Sequence, residues 1–248
     1  MMLSSLKGRL GAAAIAASAT LAMAQPLWAD QKDRIQFDVE LKGLKAGRLT
    51  INGKIEGASY GANGSLETTG LLGALKKLRH EASVAGDFKA GAFTPLSYNQ
   101  TSERGDKKVD HVIVYQSGTP VSVSRNPPRT PRDLDVDPAK QTGTIDPLTA
   151  LYAVLRDVDR AEACALDVKL YDGSKRTQVK LEPAQTKGEN VICSGEYRRL
   201  EGFSAKDMEE KSRFPFTLTY APTPDGARLQ VIEIATDTVY GKGRLKRR

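Results

Sequence analysis

Hydrophobic and polar positions along the chain follow two periods. From residue 34 the apolar residues Ile35, Phe37, Val39 and Leu41 alternate with polar ones, the mark of a strand with one buried face. Leu49, Ile51 and Ile55 continue the alternation after a turn expected over 43–47, and a Gly- and Asn-rich third strand leads to Thr69. Further strands are predicted over 81–88, 95–101, 109–116 and 121–124. After residue 158 they are predicted over 166–170, 177–181, 190–200, 214–220, 229–235 and 238–245. Residues 144–158 break this rule. There Leu148, Leu151, Tyr152 and Leu155 fall at i, i+3, i+4 and i+7, one stripe of a helix that ends in water at Arg156, Asp157 and Asp159. Thr144 or Asp146 can accept the free N–H groups of its first turn, and Pro147 suits the first helical position. A lone amphipathic helix of about four turns is marginal in water, so its stripe must be buried against the strands. The fold expected is mainly β, α+β by count: a strongly curved antiparallel sheet or open barrel of about a dozen strands wrapping one central helix.

Four segments carry special expectations. Residues 70–80 suit either a two-turn helix or a bent strand. Its Leu71, Leu72 and Leu75, with Leu151 and Leu155 of the helix, are the candidate lining of an apolar cavity between sheet and helix. Residues 126–143, with prolines at 127, 128, 131 and 138, form a long loop expected to act as a mobile flap leading into the helix. Asp172-Gly173 signals a type I′ hairpin, and 205–211 one polar helical turn.

Charge and cysteine usage place the chain. Lys7 and Arg9 precede an apolar stretch from Leu10 to Leu21, and Ala22-Met23-Ala24 is a cleavage site. Residues 1–24 therefore read as a signal peptide, with an alternative cut after 29, and the mature chain as periplasmic. Residues 30–241 are expected to form a single β-rich domain. Without Lys7 and Arg9 the chain carries 35 basic against 30 acidic residues, and five of the cations (Lys242, Arg244, Lys246, Arg247, Arg248) cluster in what reads as a basic C-terminal tail over 242–248. The remainder is balanced, which argues against nucleic acid as a partner. Two cysteines in an exported chain, Cys164 and Cys193, read as a disulfide. In a flat meander the 177–181 strand would separate them by two strand spacings, about 9 to 10 Å, beyond the roughly 7 Å limit between bridged Cα atoms. The bond therefore requires Cys164 to precede its strand, in the connection leaving the helix.

Motifs for chemistry are scarce. The sequence holds only His80 and His111, and His111 reads as a surface strand residue. No nucleophile elbow, zincin helix, phosphate loop or dinucleotide fingerprint occurs. Asp133, Asp135 and Asp137 lack the Gly and terminal Glu of a calcium loop and read as solvated. No catalytic residue, metal ligand or cofactor is nominated. Asp146-Pro147-Leu148 opening the single helix, a Cys before Tyr171-Asp172-Gly173, and a second Cys before Gly195-Glu196-Tyr197-Arg198-Arg199-Leu200-Glu201-Gly202 resemble a domain-of-unknown-function family of exported proteobacterial proteins. Such families are similar in shape to periplasmic lipoprotein carriers, in which a curved sheet encloses a helix and an apolar cavity. The resemblance implies a non-enzymatic cell-envelope protein that binds an apolar ligand or a protein partner. Two alternatives stand beside it: a hydrolase with dispersed catalytic residues, and a structural envelope protein touching an anionic membrane surface through its basic tail.

Overall fold

The computed structural model describes residues 30–70, 73, 77–238 and 241–248. The signal peptide expected over 1–24 and the cavity candidates Leu71, Leu72 and Leu75 lie outside the described residues. Among the described residues, thirteen strands form one antiparallel sheet in the order β7-β6-β5-β4-β3-β2-β1-β13-β12-β11-β10-β9-β8. The first seven are β1 (Gln31–Leu41), β2 (Leu44–Glu56), β3 (Ser59–Thr68), β4 (Leu78–Lys89), β5 (Ala92–Arg104), β6 (Lys107–Gln116) and β7 (Thr119–Asn126). A helix, α1 (Pro147–Leu155), then precedes β8 (Asp167–Tyr171), β9 (Arg176–Lys187) and β10 (Asn190–Glu201). The chain ends with a short helix α2 (Ala205–Glu210), β11 (Arg213–Pro222), β12 (Leu229–Thr238) and β13 (Gly241–Arg247).

The last strand corrects an expectation. The basic residues 242–248 are not a tail: β13 sits at the middle of the sheet, between β1 and β12. Its cations are used at home, Lys246 by Glu40, Arg244 by Glu233, Arg247 by Asp157 and Arg248 by Asp38. Long charged side chains suit a strand whose outward face is solvated, so a run of Lys and Arg is compatible with pairing on both edges.

Helix α1 lies in the concavity of the sheet. It is shorter than the 144–158 pattern suggests, and it is buried nearly all round rather than along one stripe: Leu148, Thr149, Ala150, Tyr152, Ala153, Val154 and Leu155 are all buried. The segment 148–155 contains no charged residue, which is what an all-round environment of protein demands. Asp146 is the N-cap and Pro147 opens the helix, as the sequence predicts, while Arg156 already has extended backbone. The sheet makes room with glycine. A methyl group at Gly53 would overlap the Tyr152 ring, and one at Gly64 would come within 2.7 Å of Leu148 Cδ1. Register shifts at Val39/Glu40, Ala85/Gly86, Val114/Tyr115, Ile192/Cys193 and Thr219/Tyr220 add local bends, which is how bulges help a sheet curl around its core.

The two free edges, β7 and β8, do not pair with each other. Residues between β7 and α1 fill the gap. The Gly143 N–H donates to the Gly118 carbonyl at 2.8 Å, the Val136 N–H to the Ser174 carbonyl at 2.9 Å, and Ile145 forms a parallel bridge with Leu170. Asp135 accepts from Arg129 and Arg132, and Gln141 is fully buried. The segment expected to be a mobile flap is thus a pinned closure of the barrel.

Two turns also differ from expectation. The β1–β2 reversal is the pair Lys42-Gly43, both with positive φ, rather than 43–47. The β8–β9 connection is a four-residue loop, with Tyr171 opposite Arg176, because the Asp172 carboxylate accepts the N–H groups of Ser174 and Lys175. Its Gly173 lies on the opposite edge of the barrel: a Cβ there would stand 2.8 Å from His111 Cε1 and 3.2 Å from Val123 Cγ1. His111 shares the inward face with Ile113 and Tyr115 and is half-buried, not a surface residue.

The disulfide forms between Cys164 and Cys193, with Cα atoms 5.4 Å apart. Cys164 lies in the turn before β8, as the distance argument requires, and takes a left-handed φ of 63° to get there.

Candidate functional site

Polar groups enter the barrel through α1. Asp146 Oδ1 accepts the Thr149 N–H at 2.9 Å, its Oδ2 accepts the Thr149 hydroxyl, and Tyr60 shares a 2.7 Å hydrogen bond with Thr149 Oγ1. One turn later the Tyr152 hydroxyl donates to Asp33 Oδ2 at 2.7 Å, and Gln31 Nε2 donates to the same carboxylate. Burial pushes the Asp146 carboxyl up from 3.8 to about 6, partly offset by its hydrogen bonds from Thr149. Between those pH values the folded chain holds a proton that the unfolded chain has released. Stability therefore falls as pH rises from about 4 to about 6 and is level above, by roughly 3 kcal/mol at 1.36 kcal/mol per unit. Asp146→Asn keeps an N-cap acceptor and should remove this fall. Urea unfolding of both proteins at about pH 4 and about pH 7 checks it; parallel profiles would refute a protonated Asp146.

A wide opening lies where α1 leaves the sheet. A cleft of about 880 Å³ runs between the β4–β5 turn at Gly91, the exit of α1 and the edge strand β8. Phe93, Ala153, Val158, Leu166, Leu181 and Tyr220 supply its apolar wall. Arg156 enters it from the helix end while remaining nine-tenths buried, with Nη2 2.6 Å from Glu162 Oε2. The guanidinium also lies 5.7 Å from the ring centre of Phe88 and 5.9 Å from that of Phe93. Its Nε has no hydrogen-bond partner among the described residues. Along the cleft's side runs the open edge of β8. Ile145 occupies that edge at Lys169 and Tyr171, and no described strand or bridge pairs with it at Asp167. The cleft thus offers apolar walls, a buried ion pair and unpaired backbone in one place.

Of the predicted lining, only Leu151 and Leu155 are among the described residues, and neither lines the cleft. Leu155 is sealed in the core at 0% exposure, and Leu151 packs half-buried against it; neither reaches the opening. Ala153 and Arg156 represent the helix instead. A signal existed: Leu148, Tyr152 and Arg156 lie four residues apart, so a cation continues the apolar stripe. Ala161, Glu162 and Ala165 of the lining come from an irregular connection that no periodicity marks.

A base and a nucleophile do meet in the structure. Ser102 Oγ stands 2.7 Å from His80 Nδ1, directly across β4 and β5. Ser102 Oγ also accepts from Gln100 Nε2, whose carbonyl accepts from Tyr98, so the pair ends a polar ladder along the inner face. No carboxylate holds the other His80 nitrogen among the described residues, and neither residue lines the cleft. Burial, then Arg104, lowers the His80 pKa. Also among the described residues, no group of three or more His, Cys, Asp and Glu is placed to hold a metal ion. Asp135 of the predicted solvated loop is neutralised by Arg129 and Arg132, and the hydrogen bond from Arg129 holds its pKa below the usual carboxylate range.

The family model Protein of unknown function (DUF3108) matches residues 36–229. A crystal structure of a β-barrel-like protein of domain of unknown function DUF1849 from Brucella abortus is similar at 13% identity and a TM-score of 0.45, covering 88% of this chain and 95% of that one. No curated protein matches the chain.

Proposed function

The chain belongs to the DUF3108 family, and from that premise we propose a non-enzymatic, exported binding protein of the cell envelope that holds an extended, largely apolar ligand in the cleft between β8 and α1. The observation that carries this reading is the cleft itself: about 880 Å³, within the range of small-molecule sites, with an apolar wall beside the polar side chains Arg156, Glu162, Asp167, Lys169 and Gln178. Arg156 and Glu162 suit a polar end group on an otherwise apolar body. Export is supported by the Cys164–Cys193 bond, because disulfides persist in oxidising compartments. Periplasmic location follows from reading residues 1–24 as a cleaved signal.

A dansylated fatty acid tests the reading. The protein should raise its fluorescence saturably, and Ala165→Trp should weaken binding at least about tenfold, since Ala165 is exposed and an indole there fills the cleft without touching the core. No saturable signal, or equal binding by the variant, would remove the apolar-ligand reading.

A polypeptide partner is a second reading, favoured by the open β8 edge at Asp167. An extended segment could add there as a further strand, its side chains alternating into the cleft.

A further inference from the structure

The outward face of β2–β6 carries a groove of about 560 Å³ that shares no residue with the cleft. Two rows of side chains build it, each crossing five strands in register. Asn52, Asn63, Ser83, Asn99 and Val112 form one row; Thr50, Ser65, Glu81, Thr101 and Asp110 form the next. The row beyond is Arg48, Glu67, Arg79, Glu103 and Lys108, alternating in sign.

The composition of the two inner rows is unusual for this chain. Neither row contains a Lys or Arg, although the sequence has 37 of them, and neither contains an aromatic ring. A solvated sheet face in a basic protein would mix cations throughout, as the row beyond does. Small uncharged residues instead leave a depression between taller neighbours. Asn52, Asn63 and Asn99 are exposed, and their amides make no side-chain hydrogen bond to any described residue. Each offers a carbonyl and an NH₂ group, at lateral spacings of about 4.8 Å from strand to strand. The two carboxylates are partly engaged, Asp110 accepting from Thr101 at 2.7 Å and Glu81 pairing with Arg79.

We propose that this groove binds a neutral polyhydroxylated chain, a glycan, laid across strands β2–β6. A sugar's hydroxyl groups each donate and accept, which matches amides and hydroxyls presenting both functions. The lack of a cation within the two rows disfavours an anionic polymer, which would meet Glu81 and Asp110 there. Free carboxylate oxygens on those two residues accept sugar hydroxyls, a charge-assisted bond of the stronger class.

Chitotetraose, soluble and neutral, is the probe. Calorimetric titration should give saturable binding, and the triple variant N52A/N63A/N99A should weaken it at least about tenfold, through loss of three hydrogen-bonding amides. These positions are exposed, so the urea midpoint of the variant should stay that of the parent. Backbone amide shifts on titration should map to β2–β6. No saturable heat with the parent, equal binding by the triple variant, shifts confined to the β8 cleft, or tighter binding of tetragalacturonate than of chitotetraose would each overturn the proposal. The fatty-acid test reads the other face of the sheet, so the two proposals fail independently.

Discussion

Replacing Tyr152 by alanine should destabilise the fold by about 5 kcal/mol, comparable to the whole stability of many domains. The side chain is fully buried, its ring lies on Gly53 and meets Phe93 at a centroid distance of 5.8 Å, and its hydroxyl donates to Asp33. Truncation leaves a ring-sized cavity facing a glycine, which has no side chain to move in, and strips one donor from a buried carboxylate. Tyr152→Phe separates the two effects. It should cost about 1 to 3 kcal/mol, since Asp33 keeps the Gln31 amide while the ring still fills its space. Urea unfolding of both variants measures this. A loss below about 2 kcal/mol for the alanine variant would mean that the sheet collapses onto the helix without it.

The double variant Cys164→Ala/Cys193→Ala should lose roughly 3 to 4 kcal/mol, the chain-entropy value for a loop closed across 29 residues. The bond ties the turn leaving α1 to β10, across the position of β8 and β9. That turn continues into Glu162, Ala165 and Leu166, which line the cleft. The double variant should therefore also bind the dansylated fatty acid more weakly than its stability loss alone would bring about. Affinity measured well below the unfolding temperature checks this; unchanged affinity together with a stability loss below about 1 kcal/mol would deny the bond its clamping role.

Much of the strand pattern was legible because each β-strand writes its own alternation into adjacent residues. Ile35-Phe37-Val39 and Leu166-Val168-Leu170 needed no partner to be read, and the capped start of α1 at Asp146-Pro147 is equally local. The cysteine pairing was legible for a different reason: a chain that reads as exported has two cysteines, and the distance limit for a bridged pair then locates Cys164 outside the strand. Turn details were less accessible. Asp172-Gly173 is a common hairpin signal, and only the approach of this loop to His111 across the barrel shows why the longer Asx-type loop stands there.

The amino-acid sequence by itself determined the class of fold, the identity of nearly every strand, the helix start and the disulfide, all properties set by short-range periodicity, capping chemistry or chain connectivity. Tertiary structure alone decided that the strand expected over 238–245 runs on to Arg247 and sits at the middle of the sheet, because a basic outward face reads the same in a tail as in a paired strand until its neighbours β1 and β12 are known. It alone decided that Leu155 is core and Arg156 lines the cleft, since a one-residue difference around the helix end is resolved only by where the sheet stops covering it. The Asn and Thr rows of β2–β6 belong to the same category. Their members lie far apart in the chain, and antiparallel register, not sequence proximity, brings them into line.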